Sequence, residues 1–315
     1  MYDVACVGIL VADVIAGKVS NIPQKGLLEH VDSVKIYSGG NAMTASINIK
    51  KLGAKTAIIG MVGKDIFGSF LKQCLADRGV DVKGLKESDD YQTSTSIVMV
   101  SEDGERSFLH CVGANGHFSV NDIDYDIIKD SKVVFVTGTY LLDTFDGAQT
   151  MEFLKKCKEM GKTTVLDCCW DSKDRWGSLL DMSMPYIDIF MPSIDEAKRI
   201  AKKDTLKEIA DVFFEKGVKT VVIKNGKYGC YVRESFAGEG KEYPTYLSIK
   251  RVDTTGAGDS FCSGFLAAFA RGKSIEECAK FANAVGTHCI MASGATTGIK
   301  SYEETLKFME EHEVG

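Results

Sequence analysis

The chain has 315 residues, 44% of them hydrophobic and 26% charged, the make-up of an ordinary globular protein with enough chain for a large core. A formal net charge of −6 argues against a nucleic-acid binder, which needs a basic footprint, and no apolar run is long enough to span a bilayer. The start, MYDVACVGIL, has no basic n-region and the 10 cysteines lack CxxC spacing, so reduced packing thiols and a cytoplasmic location are expected.

In chain order, Val4–Leu10 is apolar and β-rich. Asn41–Leu52 has apolar residues at helical spacing and stops at Gly53. Thr56–Met61 reads as a buried strand, and Phe67–Asp77 as a helix ended by Arg78-Gly79. The second half repeats the pattern: strand Val133–Val136, a helix near Met151–Met160, and strands Thr163–Leu166 and Ile187–Met191. Helices near Glu196–Ala201 and Leu206–Phe214 follow, then strand Thr220–Lys224, a hairpin ending near Val232, and helices over Gly258–Arg271, Ile275–Ile290 and Glu303–Glu311. Such alternation means a mostly parallel sheet with helices on both faces, an α/β fold.

Two stretches break the alternation. Val14–Tyr37 has no strong helical face. Thr95–Cys111 reads as a β-hairpin, Ser96–Val100 and Arg106–Cys111 joined by a Glu102-Asp103-Gly104 turn. A hairpin inserted in a parallel α/β chain has to lie outside the main sheet, where it can cover a ligand crevice.

Chemistry is concentrated in Asp253-Thr254-Thr255-Gly256-Ala257-Gly258-Asp259, just before an apolar helix with Phe261, Phe265, Leu266 and Phe269. Small residues let backbone N–H groups approach an anion, and a helix N-terminus adds unsatisfied donors and a positive dipole end, so the segment reads as a phosphate cradle. Asp259 has two readings, a carboxylate complementing the helix start or a general base beside the phosphate. Other phosphate loops fit poorly. Gly161-Lys162-Thr163 and Gly272-Lys273-Ser274 lack the first glycine of a Walker A loop, and Gly8–Asp13 has no second glycine for a Rossmann fingerprint. A second segment, Gly39-Gly40-Asn41, opens a helix with Asn41 as a plausible N-cap. It is either a plain strand–helix turn or a close backbone approach whose amide meets a polyol.

Together these segments resemble the paired signatures of the ribokinase-like, or PfkB, carbohydrate kinases. Lesser family marks fall in order: Gly8 to Asp13, Gly60 to Asp65, Asp103-Gly104-Glu105-Arg106 with Gly113-Ala114-Asn115, Pro192 to Glu196, and Lys224 to Gly229. The resemblance covers almost the whole chain.

The resemblance implies a three-layer α/β sandwich with a mostly parallel central sheet and a small β lid. It implies one kinase domain over residues 1–315, with lid segments near 14–37 and 95–112. It implies ATP-dependent phosphorylation of a sugar hydroxymethyl group, with Gly256, Ala257 and Gly258 as anion hole and Asp259 as base. Asp13, Gly39, Gly40 and Asn41 would bind the acceptor. Lys224, Gly226, Gly229 and Asn283 would border the nucleotide. Glu196 would organise Mg²⁺ through water, Ser193 standing where the family usually has Asn. Asp253 and Thr255 would hold a monovalent cation such as K⁺. A homodimer through the lid is a further expectation. A nucleoside kinase of the same family and a catalytically silent sugar-binding protein on this scaffold are the alternatives. Lys18, Lys25, Lys35 and Arg106 are candidates to read a phosphosugar, and His110 lies in the expected lid.

Overall fold

The computed structural model describes residues 1–101 and 105–315. The hairpin turn expected at 102–104 lies outside the described residues, as does the Arg106 side chain. In chain order the elements are β1 (Tyr2–Gly8), β2 (Val11–Val19), β3 (Ser33–Gly39), α1 (Asn41–Lys51), β4 (Thr56–Gly63), α2 (Ile66–Asp77) and β5 (Asp81–Ser88). There follow β6 (Thr95–Ser101), β7 (Arg106–Cys111), α3 (Tyr125–Lys129), β8 (Ser131–Thr139), α4 (Ala148–Glu159), β9 (Thr163–Cys168), α5 (Trp176–Leu180) and β10 (Ile189–Phe190). The last are α6 (Ile194–Ala201), α7 (Leu206–Glu215), β11 (Thr220–Lys224), β12 (Cys230–Arg233), β13 (Lys241–Tyr243), α8 (Ala257–Phe269), α9 (Ile275–Ile290) and α10 (Tyr302–Glu311).

Nine strands form the main sheet in the order β13-β12-β11-β10-β9-β8-β1-β4-β5. All pairs are parallel except β11–β12 and β12–β13 at one edge. Both faces are covered, so inner strands are continuous apolar runs: along β1, Val4 and Cys6 enter one core while Ala5 and Val7 enter the other. The first core packs α1, α8 and α9, the second α4, α6 and α7.

The second sheet, β3-β2-β6-β7, is the lid. Its central pair, β2 and β6, runs parallel, with antiparallel strands outside. The register sets Tyr37, Asp13, Ser96 and His110 side by side in one row across all four strands. Where β1 passes into β2, buried Asn115 replaces a strand neighbour. Its Oδ1 accepts from the Leu10 N–H (3.2 Å) and its Nδ2 donates to the Leu10 carbonyl (2.8 Å).

Several boundaries depart from expectation. The run Val4–Leu10 is not one strand: β1 ends at Gly8, whose φ of 152° and a virtual Cβ 1.9 Å from the Thr137 carbonyl demand glycine. The lid strand then begins at Val11, ahead of the expected Val14. Asn41 is not the N-cap of α1. Gly40 is, at φ 91°, with its virtual Cβ 2.5 Å from the Ile9 carbonyl, and so the Asn41 side chain is released from capping.

Candidate active site

Strand ends and helix starts meet at the C-terminal edge of the parallel sheet, where open α/β sheets bind ligands. A cleft of about 760 Å³ is lined there by the end of β9 (Asp167, Cys168, Cys169), the start of α6 (Glu196), Lys224 after β11, the Gly256–Asp259 turn, and Asn41.

Asp259 sits in the first turn of α8, but among the described residues its carboxylate caps no backbone group. Asn41 Nδ2 donates to its Oδ1 at 2.7 Å, and the far side of Asn41 accepts from Cys169 Sγ at 3.2 Å. Burial pushes the Asp259 carboxyl up to about 7. The nearby Asp167 carboxylate adds to the rise, while Asn41 and Lys224 oppose it. A group poised there changes charge near neutrality, as a base and then an acid must.

Gly256 caps α8 in the left-handed region at φ 76°, with its virtual Cβ 2.2 Å from Ala295 Cβ. Gly258 is different. A Cβ there would meet only Lys224, at 3.5 Å, an ordinary contact. The protein itself does not require glycine at 258; the bare backbone leaves room in the cleft.

Lys224 is a buried cation. Its Nζ donates to Asp167 Oδ1 at 2.7 Å and lies 3.8 Å from Cys262 Sγ. Burial opposes its charge most strongly, but Asp167, Cys262 and Glu196 together outweigh it and hold Lys224 well above the usual lysine range. Burial pushes Asp167 up to about 6, with Lys224 opposing. Ser193 and Glu196 form a capping box on α6: Ser193 N donates to Glu196 Oε2 (2.8 Å) and Glu196 N to Ser193 Oγ (3.4 Å). The serine hydroxyl is therefore used as a helix cap. Glu196 also accepts from Cys168 Sγ at 3.7 Å. Among the described residues, the possible ligand atoms of Asp167, Cys168 and Glu196 lie within 4.8 Å of one another.

Gly226 and Gly229 shape the turn after β11, at φ 55° and 86°. A Cβ on Gly229 would lie 2.0 Å from the Tyr243 carbonyl. Asn283 lines the cleft, but its Nδ2 is spent on the carbonyls of Tyr243 (2.8 Å) and Pro244 (3.2 Å), so it holds the cleft wall. Asp253 Oδ1 accepts from Thr255 N and Oδ2 from Gly294 N, each at 3.0 Å, which ties the loop before α8 to the segment after α9.

On the lid side of Asn41, Asp13 lies over Gly39 and accepts a hydrogen bond from Ser96, whose Oγ is 3.1 Å from His110 Nδ1. Burial raises the Asp13 carboxyl, Ser96 and His110 opposing, and burial lowers His110, with Asp13 opposing. Lys18, Lys25 and Lys35 are exposed, Lys18 facing Asp32 at 3.7 Å, and none lines the cleft.

The sequence reading did not name Asp167, nor did it give Cys168 or Cys169 a role. The available signal was position. A polar Asp-Cys-Cys closes a buried parallel strand, its last residue just past the strand end, at the edge where ligands gather.

The chain matches the model of the pfkB family carbohydrate kinases over residues 1–301 and belongs to that family. It is 28% identical to a ribokinase of Haemophilus influenzae, covering 88% of each chain. It is 29% identical to an ATP-dependent 6-phosphofructokinase of Thermoanaerobacterium thermosaccharolyticum, covering 98% of this chain and 94% of that one. Among solved structures, Arabidopsis thaliana ribokinase complexed with ribose and ATP superposes with a TM-score of 0.86 over 98% of this chain and 99% of the other, at 24% identity. At that identity the superposition defines the fold. The lid and central sheet are those of the ribokinase fold. No helix among the described residues is long and apolar enough to cross a membrane.

Proposed function

We propose that the protein transfers the γ-phosphoryl group of ATP to a hydroxymethyl group of a sugar, with Asp259 as general base and the Gly256–Gly258 turn as anion hole. The observation that carries this reading is Asp259 itself: a carboxylate raised to about 7, held by Asn41 beside an open glycine turn at a helix N-terminus. Asp259 takes the proton of the acceptor hydroxyl as its oxygen attacks phosphorus and the bond to the ADP oxygen breaks. Backbone N–H groups of Gly256, Ala257 and Gly258, at the positive end of α8, meet the charge on the transferring group.

Asp13, Gly39, Gly40 and Asn41 hold the acceptor hydroxyls in this reading, and Lys224, Gly226 and Gly229 border the nucleotide. Asn283 supports that border from behind. The oxygen donors of Glu196 and Asp167 suit Mg²⁺, with Glu196 reached through water. Bound there, the ion would neutralise phosphate charge. Asp253 and Thr255 would hold K⁺. Residues 1–315 act as one kinase domain, its lid inserted in the core, and a reducing cytoplasm suits ten thiols.

The test is ADP release over a panel of pentoses, hexoses, keto-acids and nucleosides. A sugar should be the best acceptor, and Asp259→Asn should lower kcat at least ~10²-fold while nucleotide still binds. Near-wild-type turnover in that variant would remove the base assignment. A nucleoside as best acceptor would replace the substrate class, and no ADP release would mean a silent binding protein.

A further inference from the structure

Building on the reading of Asp259 as the base, we propose that Cys169 is a positioning residue for it, acting through the Asn41 amide. An ionised carboxylate only accepts hydrogen bonds, so Asn41 must turn its NH₂ to Asp259, where Nδ2 lies 2.7 Å from Oδ1. That orientation delivers the amide oxygen to Cys169, whose Sγ lies 3.2 Å away and donates. No other hydrogen bond to Asn41 Oδ1 is formed among the described residues.

The thiol S–H supplies the amide oxygen with the donor it lacks elsewhere among the described residues. Both ends of the relay are rigidly mounted. Cys169 follows β9 and its N–H donates to the Thr139 carbonyl at 3.1 Å; Asn41 opens α1. The amide keeps its second N–H and one oxygen lone pair for the acceptor.

Without the thiol, only the charge on Asp259 selects the face of the amide, because terminal amide torsions are broadly two-fold. The turned-over amide sets its carbonyl oxygen against the Asp259 carboxylate and disfavours the ionised base. Cysteine at 169 thus adds to the pull of Asp259 itself in fixing which end of Asn41 the base meets.

The experiment is the pH profile of kcat/KM with the best acceptor, alongside thermal midpoints. In Cys169→Ala the acid limb should move up by about one unit, with activity at pH 7 falling roughly five-fold. Cys169→Ser restores a donor and should return the limb to its wild-type position. Should Cys169→Ala fail to fold, Cys169→Val makes the same comparison with the volume filled. An unmoved limb in Cys169→Ala, or equal shifts in the Ala and Ser variants, overturns the positioning role while leaving Asp259 as base. Full turnover in Asp259→Asn overturns both.

Discussion

The Asp13 carboxylate occupies the space that any side chain at Gly39 would need: a Cβ there would lie 2.1 Å from Asp13 Oδ2. The two residues sit on the paired lid strands β2 and β3, with Gly39 two positions before Asn41. The glycine lets a carboxylate lie across β3, two residues ahead of the amide that bonds to Asp259.

Asp13→Ala and Asn41→Ala should each leave acceptor hydroxyls unpaired and cost ~1–3 kcal/mol in kcat/KM. Gly39→Ala, by displacing the carboxylate, should resemble Asp13→Ala. The KM for ATP should hardly change. Full kcat/KM in both alanine variants would take the acceptor site away from these positions.

Gly256 and Gly258 should fail differently. Gly256→Ala forces a Cβ onto a left-handed backbone and against Ala295, so thermal stability should drop by ~1–3 kcal/mol. Gly258→Val meets only the Lys224 side chain, so the midpoint should hold while turnover is lost. Unchanged turnover in Gly258→Val would place the anion elsewhere.

The stability contributed by buried carboxyls should fall as the solution becomes more alkaline above about pH 4, while His288, lowered by burial to about 4, acts in the opposite sense. Burial raises Asp146 to about 7, and among the described residues its Oδ1 has no hydrogen-bond partner although Oδ2 accepts from Tyr140 and Leu142 N–H. A carboxyl raised in the fold favours its protonated form. Its contribution is complete below the unfolded value and lost as pH rises through about 7. Asp167 and Asp259 act in the same direction. Thermal midpoints at pH 5 and 8 check this: relative to wild type, Asp146→Asn should gain midpoint between pH 5 and pH 8. A midpoint of Asp146→Asn that falls relative to wild type over that interval would contradict it.

The lid should pair with the lid of a second copy. Its outer strands carry Val34, Ile36, Phe108 and Leu109 at 62, 45, 60 and 61% exposure, a concentration of apolar surface on sheet edges that invites another sheet. Sedimentation at micromolar concentration should give a dimer, and Phe108→Glu with Leu109→Lys should give monomer. A wild-type monomer would end the proposal.

Periodicity made the inner strands and long helices legible because strands buried on both faces cannot avoid a continuous apolar run. It was silent on β5, whose Lys83, Lys86 and Glu87 belong to a sheet edge, and on β13, two of whose three residues are exposed. Spacing also ran β1 into Leu10, since the break at Gly8 comes from the Thr137 carbonyl, far along the chain. The glycine turn and Asp259 were readable from local chemistry. The Asp167–Lys224 pair joins positions 57 residues apart, and the Cys169–Asn41 contact spans 128, so neither leaves a local pattern.

The two hydrogen bonds between Asn115 and Leu10 fasten one corner of the lid as a peptide neighbour would. A small rotation about that corner is a lever motion. Asp13 stands three residues along β2 from the fastening, roughly 10 Å, and Val19 nine residues, roughly 30 Å. For a given angle the rim of the lid sweeps about three times the arc of the Asp13 row. Steadiness at that row and reach at the rim thus belong to one sheet, divided by radius.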